Sequence, residues 1–132
     1  MTCLMIDVEG FDLKPEDIRR IKHPLVGGII LFARNFSDRN QLSELILAIR
    51  EVRDGLLISV DHEGGRVQRF RESFTLLPDM GLIGKNYNHN KSQAIKIANL
   101  TGWIIAKELG ELGIDFSFTP VLDIDYGTSS VI

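Results

Sequence analysis

The sequence predicts an α/β fold built from parallel βα units. Short, almost wholly apolar runs alternate with amphipathic helical patterns in the order β-α-β-α-β-α-β, and strands of a helix-covered parallel sheet have this continuous apolar character. Polar side chains follow the end of every predicted strand, where α/β sheets and barrels build their sites. An open doubly wound sheet and a (β/α)8 barrel both fit this order. A whole barrel takes about 250 residues, so four strands would form roughly half of one.

The first unit is a strand followed by a short helix. The apolar run Cys3–Val8 is the first strand. The helix begins at Pro15, because proline suits the first helical turn. It ends near His23, because a residue that precedes a proline, here Pro24, disfavours the α region. The next apolar run, Gly27–Phe32, is the second strand.

The second helix has the clearest amphipathic pattern. It is predicted between Ser37-Asp38, a pair that suits a helix start, and Asp54-Gly55, which closes it. One apolar stripe recurs at helical spacing and is expected to face the core. Its members are Leu42, Leu45, Ile46, Ile49 and Val52. The third strand, Leu56–Val60, follows directly.

The last third of the chain begins with a segment that has no clear pattern. Residues 66–92 are predicted as a long loop, and a loop of this length inside a compact domain is usually functional or disordered. The third helix begins at Lys91 or Ser92 and runs to about residue 112, with Gly113 as its stop. The fourth strand is Ile114–Leu122.

The composition is that of an ordinary soluble globular domain. The 132 residues are 44% hydrophobic and 25% charged, and the net charge of −3 argues against a general nucleic-acid binder. Cys3 is the one cysteine, so no internal disulfide is expected. No run approaches the roughly 18 apolar residues that span a membrane, and Asp7 interrupts the N-terminal apolar run too early for a signal peptide. The chain is expected to be one cytoplasmic domain, residues 1–132.

The polar residues after the strands are expected to meet at one edge of the sheet. In a parallel sheet the carboxyl ends of all strands share an edge. The residues concerned are Asp7, Glu9, Arg34, Asn35, Asp61, Glu63, Asp123 and Asp125.

The stretch LISVDHEGGRVQRFR carries the main candidate site. Asp61 ends the buried third strand, and Arg66 and Arg69 are three apart, which on a helical turn would place them on one face. The pair Gly64-Gly65 is expected to turn the backbone sharply and to leave room for a ligand. A carboxylate beside a guanidinium suits a polyhydroxylated ligand, since one accepts hydroxyl protons and the other donates in a fixed geometry. A purely structural ion pair that holds the loop fits the same spacing.

Other chemistries lack a motif. No G-x-G-x-x-G, P-loop, G-x-S-x-G, H-x-x-x-H or C-x-x-C pattern occurs, so no cofactor and no zinc site are expected. His62 is interpreted as a loop or packing residue. An acidic rim that binds a divalent cation is a further, weaker alternative.

The segment VDHEGGRVQRF resembles the V-D-x-E-G-G-R-V-x-R-F signature of family 3 glycoside hydrolases, with bacterial cytoplasmic β-N-acetylhexosaminidases most similar. IDVEGFDL, HPLVGGIILFARNF and DFSFTPVLDI agree in order and spacing. The resemblance implies a TIM-like (β/α)8 barrel, of which this chain is the N-terminal half. It also implies a retaining enzyme that removes terminal β-linked N-acetylglucosamine from peptidoglycan fragments in cell-wall recycling.

The resemblance also implies roles for single residues. Asp61 holds sugar hydroxyls and Arg69 contacts the same sugar, while Glu63, Arg66 and Asp123 support them in ways that are not assigned. At position 62 the family often has glutamine where this chain has histidine.

The expected catalytic residues are absent from this stretch of sequence. In the family a late aspartate is the nucleophile and a loop histidine is the acid/base, and both motifs would lie beyond Ile132. No catalytic residue is therefore assigned, and the 132-residue chain alone is expected to be inactive. Its ligand is expected to be a muropeptide or a related β-N-acetylglucosaminide, and the half-barrel is expected to self-associate through its open strand edges. The alternative is a non-catalytic half-barrel that binds amino sugars or pairs with another subunit.

Overall fold

The computed structural model describes residues 3–124 and 126–127 and contains a parallel sheet covered by helices. The strand order is β1-β2-β3-β6, and each neighbouring pair is parallel. The strands are β1 (Leu4–Ile6), β2 (Val26–Leu31), β3 (Leu57–Val60) and β6 (Phe116–Ser117). The predicted α/β fold of parallel βα units is confirmed.

Within residues 3–124, four α-helices connect and cover the strands. They are α1 (Pro15–Ile21), α2 (Arg39–Val52), α3 (Met80–His89) and α4 (Lys91–Gly110). In α2 the Asp38 carboxylate accepts hydrogen bonds from the amides of Asn40 at 2.9 Å and Gln41 at 3.0 Å, which satisfies donors that a helix start leaves free. The predicted apolar stripe of α2 faces the core, where Leu42 and Ile49 are completely buried.

The core lies between the central strands and the helices. Ile29 and Leu31 of β2 and Ile58 and Val60 of β3 have no exposed surface. Burial of such side chains stabilises the fold by roughly 1.5–3 kcal/mol each. The two central strands are therefore fully packed on this core, and the residues that follow them extend directly from it.

The segment predicted as a long loop is largely structured. A two-stranded antiparallel hairpin, β4 (His62–Gly64) and β5 (Val67–Gln68), follows β3, and α3 occupies most of the polar stretch. The prediction failed because α3 buries only Ile83 and exposes its other residues apart from half-buried Met80, so its sequence lacks an apolar stripe. Its start is fixed by Asp79, whose carboxylate accepts a hydrogen bond from the Leu82 amide at 2.7 Å.

The fourth strand is much shorter than predicted. Only Phe116–Ser117 pairs with β3. Pro120 has no amide hydrogen to donate to a ladder, and Val121 and Leu122 are exposed. The apolar run therefore continues past the strand without lying in the sheet.

Candidate functional site

Three consecutive strands each end on a residue that contributes to one edge. Asp7, Phe32 and Asp61 are the first residues after β1, β2 and β3. The carboxyl ends of these strands lie together, as the sequence predicted for a parallel sheet. Asp7 forms an ion pair with Arg34, and Asp61 forms one with Arg69. Two acid–arginine pairs therefore stand side by side at this edge.

The Asp61–Arg69 pair is only partly sheltered from solvent. Nη2 of Arg69 donates to Oδ2 of Asp61 at 3.0 Å, and the side chains are 30% and 27% exposed. Nε of Arg69 is buried and has no hydrogen-bond acceptor among the described residues. Part of each side chain is therefore reachable from solvent, and a carboxylate beside a guanidinium can accept from and donate to hydroxyl groups.

The β4–β5 hairpin brings Arg69 back to Asp61. His62 pairs with Gln68 and Gly64 pairs with Val67, so the chain reverses within a few residues. The sequence prediction that Arg66 and Arg69 share a helical face was wrong, because this stretch is a hairpin. Arg66 is exposed near the turn and Arg69 is half-buried beyond β5.

Buried Gln68 fixes the far side of the hairpin. Its Nε2 donates to the carbonyls of Phe70 at 3.1 Å and Thr75 at 2.9 Å, and its Oε1 accepts from the Leu77 amide at 3.0 Å. These three bonds hold the residue next to Arg69 in place. Sequence reasoning missed Gln68, because its role depends on chain that folds back from residues 70–77.

The two glycines serve the backbone and not the ligand. Gly64 and Gly65 have positive φ of 98° and 55°. A Cβ would lie 2.4 Å from the Pro78 carbonyl oxygen at the first and 2.5 Å from the Asp79 Cβ at the second. The expectation that they leave room for a ligand was wrong, because the segment before α3 fills that space.

His62 is a packing residue, as its sequence position suggested. It is 1% exposed, and its ring centroid lies 5.6 Å from those of Phe70 and Phe74. Burial lowers the pKa of His62 to about 4. Its amide donates to Oγ of Ser117 at 2.9 Å, which ties the start of the hairpin to β6. The neutral ring belongs to the support beneath Asp61.

Glu63 lies half-buried beside the pair. Burial raises the pKa of Glu63, and the nearby negative charge of Asp61 raises it further, while Arg69 acts in the opposite direction. A carboxyl group in this position is easier to protonate than an exposed glutamate.

Asn35 belongs to the structure of the edge. It is completely buried. Its Nδ2 donates to the carbonyls of Val8 at 3.1 Å and Gly10 at 2.9 Å, and its Oδ1 accepts from the Phe32 amide at 2.8 Å. Asn35 thus joins the loops after β1 and β2 and holds the first ion pair near the second.

Two further predicted edge residues, Glu9 and Asp123, do not join the two pairs. Glu9 pairs with Lys14 at 3.0 Å on the surface. Asp123 is exposed, and Asp125 lies outside the described residues. Within the part of the chain that the structure describes, no group of three acidic, histidine or cysteine residues could hold a metal ion. No helix in that part is long and apolar enough to cross a membrane.

Comparison with known proteins identifies the family. The model of the glycosyl hydrolase family 3 N-terminal domain matches residues 4–130. The chain belongs to this family. The β-hexosaminidase of Methylobacillus flagellatus is 60% identical over 130 residues, which are 98% of this chain and 37% of that protein. The resemblance seen in the sequence is thereby confirmed.

Solved structures of family 3 enzymes confirm the fold class. Native NagZ from Neisseria gonorrhoeae superposes with a TM-score of 0.91 at 46% identity, over 96% of this chain and 38% of that one. NagZ from the same organism in complex with N-trifluoroacetyl-D-glucosamine gives a TM-score of 0.90 at 46% identity, over 96% and 37%. The βα units are those of the TIM-like α/β fold of these proteins. The family 3 chain spans less than two fifths of the length of these relatives.

Proposed function

We propose that the chain contributes part of the sugar-binding site of a β-N-acetylhexosaminidase. The proposed reaction is retaining hydrolysis that removes terminal β-linked N-acetylglucosamine from peptidoglycan fragments during cell-wall recycling. The family match over residues 4–130 carries this proposal. The N-trifluoroacetyl-D-glucosamine in the related NagZ supports an amino sugar as the ligand class.

In this proposal Asp61 and Arg69 hold the sugar. Asp61 accepts protons from neighbouring hydroxyls, and Arg69 donates through the N–H groups that its single bond to Asp61 leaves available. Glu63, Arg66 and Asp123 support the site without assigned roles. No residue of the chain is given the part of nucleophile or general acid/base, and residues 1–132 are proposed to form one incomplete barrel domain.

Titration of the purified chain with N-acetylglucosamine tests whether Asp61 binds the sugar. Asp61→Asn keeps the size of the side chain and removes its charge, and we expect at least a tenfold loss of affinity, since a charged hydrogen bond contributes about 1.5–3 kcal/mol. Asp12→Asn is the matched control, because Asp12 is an exposed aspartate in the loop before α1. Equal affinities of the two variants would contradict the proposal.

The same protein tests the division between binding and catalysis. We expect no release of 4-nitrophenol from 4-nitrophenyl β-N-acetylglucosaminide by the 132-residue chain, although it binds the sugar. Appreciable release of 4-nitrophenol by the purified 132-residue chain would contradict this division.

A second candidate is a non-catalytic half-barrel that binds amino sugars or pairs with another subunit. It is favoured by the open edges of the sheet, since β1 and β6 each have one neighbour among the described residues. Leu4 and Leu57 are 47% and 51% exposed, and a groove of about 550 Å³ runs between α4 and β6. We propose self-association through these surfaces. Light scattering that gives a monodisperse monomer would contradict it.

A cytoplasmic location is part of the proposal. Cys3 is a free and exposed thiol, and the reducing cytoplasm keeps such thiols unpaired. Fractionation of cells that express the protein, followed by immunodetection, tests the location, and recovery in the periplasmic fraction would contradict it.

A further inference from the structure

Phe32 lies between the two ion pairs of the sheet edge. The Cζ atoms of Arg34 and Arg69 lie over its ring, 4.6 Å and 5.8 Å from the centroid. A guanidinium within about 6 Å of an aromatic centroid is attracted to the electron-rich ring. One half-buried side chain at the end of β2 therefore contacts an arginine from each pair.

The charges around this ring are balanced. Two guanidinium groups near one ring repel each other, but Asp7 neutralises Arg34 and Asp61 neutralises Arg69. The carboxylates come from the strands on either side of β2. The ring is thus the middle of a contact series that crosses three strand ends.

Arg69 needs a second support to keep its orientation. Among the described residues, its one hydrogen bond runs from Nη2 to Asp61, and its buried Nε has no acceptor. A single hydrogen bond lets the guanidinium plane swing about that contact, whereas a bidentate pair would fix it. The ring of Phe32 supplies the missing constraint.

We propose that Phe32 is a positioning residue that orients the Arg69 guanidinium for the sugar. The inference rests on the function proposed above and deepens it. Phe32 acts through Arg69 and not by stacking against the sugar, so its removal loosens the arginine and leaves the Asp61 carboxylate in place.

Titration with N-acetylglucosamine gives the first test. We expect Phe32→Leu, which keeps an apolar side chain and removes the ring, to weaken binding about three- to five-fold, the size of an exposed or half-exposed cation–π contact. Phe32→Tyr keeps the ring and is expected to bind as the wild type does. Tyr87→Leu is the matched control, because it removes a ring that lies 5.4 Å from the Lys91 ammonium on a different surface. Equal binding by wild type and Phe32→Leu would overturn the inference.

NMR of the sugar-free protein separates this inference from the proposed function. The heteronuclear NOE of the Arg69 Nε–Hε group, which reports how ordered the guanidinium is, is expected to fall in Phe32→Leu and to keep its wild-type value in Phe32→Tyr. An unchanged NOE in Phe32→Leu would overturn the positioning role, whatever the sugar affinity. If the wild type does not bind N-acetylglucosamine and the NOE still falls, the positioning role stands and the proposed sugar site fails.

A double-mutant cycle separates positioning from direct contact. Phe32→Leu is expected to cause no further loss in an Arg69→Lys background, because the planar group that it orients is already gone. The same fold-loss in both backgrounds would show that Phe32 touches the sugar by itself and would overturn the inference. The NMR comparison decides the question if Arg69→Lys binds too weakly to titrate.

Discussion

The two ends of β3 carry aspartate–arginine pairs that are built differently. At the carboxyl end, Arg69 donates to Asp61 and retains a buried Nε without an acceptor among the described residues. At the amino end, Arg50 contacts Asp115 at 3.1 Å and also donates to the carbonyls of Leu56 at 3.1 Å and Gly113 at 2.9 Å.

The Asp115 carboxylate also binds a backbone group in addition to Arg50. Oδ2 of Asp115 accepts from the Ile58 amide at 2.7 Å. The pair at the amino end therefore joins two neighbouring strands through backbone groups. In the Arg50–Asp115 pair, both side chains also form hydrogen bonds with backbone groups. In the Asp61–Arg69 pair, the one hydrogen bond among the described residues joins the two side chains to each other. This contrast favours ligand binding for Asp61 and Arg69 over the loop-holding role that the spacing also allowed.

The largest expected loss of stability comes from breaking the Arg50–Asp115 pair. We expect Asp115→Ala to lower the free energy of unfolding by about 3 kcal/mol, because it removes charged hydrogen bonds to the Ile58 amide and to Arg50. Asp61→Ala is expected to change it by about 0.5 kcal/mol or less, because this partly exposed pair has one hydrogen bond and the Asp61 carboxylate has no bond to the backbone of the described residues. Urea unfolding of both variants checks the difference. Equal losses would show that the two pairs have the same structural role.

The support beneath Asp61 predicts a dependence on pH. The folded state keeps His62 neutral down to a pKa of about 4, while the unfolded chain gains a proton near pH 6.5. Stability is therefore lost as the pH falls from about 6.5 to about 4, because protonation favours the unfolded state. Between pH 7 and pH 4.5 the loss is expected to be about 2 kcal/mol.

His62→Gln isolates this term from other acid effects. Unfolding curves at several pH values are expected to show a shallower acid slope for the variant than for the wild type. Parallel pH profiles would mean that the imidazole does not remain neutral in the fold.

The smallest expected effect concerns Glu63. Its pKa is raised in the folded state, so the folded chain holds this proton more tightly than the unfolded chain does. Its contribution to stability is present at low pH and is lost as the pH rises above about 4.5. We expect Glu63→Gln to gain about 0.5 kcal/mol or less at pH 7.

This gain should vanish in acid, since the wild-type carboxyl is then neutral as well. Thermal unfolding at pH 7 and at pH 4 measures it. A stability loss at pH 7 would show that the charge of Glu63 supports the Asp61–Arg69 pair instead of opposing it.

The sequence was sufficient for the elements whose apolar residues face one core. β2, β3 and α2 lie within two residues of their predicted bounds, because continuous burial and helical spacing are visible in one dimension. It failed for α3 and for the β4–β5 hairpin. The hairpin is held by partners that are distant in sequence, as when the His62 amide donates to Oγ of Ser117 at 2.9 Å, and α3 has only one buried residue, Ile83.

The residues of the candidate site likewise fall into those that the sequence predicted and those that it did not. Asp61 was predicted from its place at a strand end, and Arg69 from the carboxylate–guanidinium chemistry and the family signature. Phe32 was read only as the end of an apolar strand, because nothing local shows that two arginines from different loops converge on its ring. The purpose of Gly64 and Gly65 was misjudged for the same reason, since the segment that fills their space comes later in the chain.

The hydrogen bond between the His62 amide and Ser117 Oγ determines when, during synthesis of the chain, this site can be completed. Ser117 lies 55 residues after His62, and its single hydroxyl hydrogen has two acceptors within reach, the carbonyl oxygens of Val60 and His62, each 3.1 Å from Oγ. These contacts flank Asp61 on both sides. During synthesis on the ribosome, Asp61 and Arg69 leave the exit tunnel long before β6 does. The contacts that hold the backbone on both sides of Asp61 can therefore form only after that later strand has emerged, and until then the Asp61–Arg69 pair lacks this support.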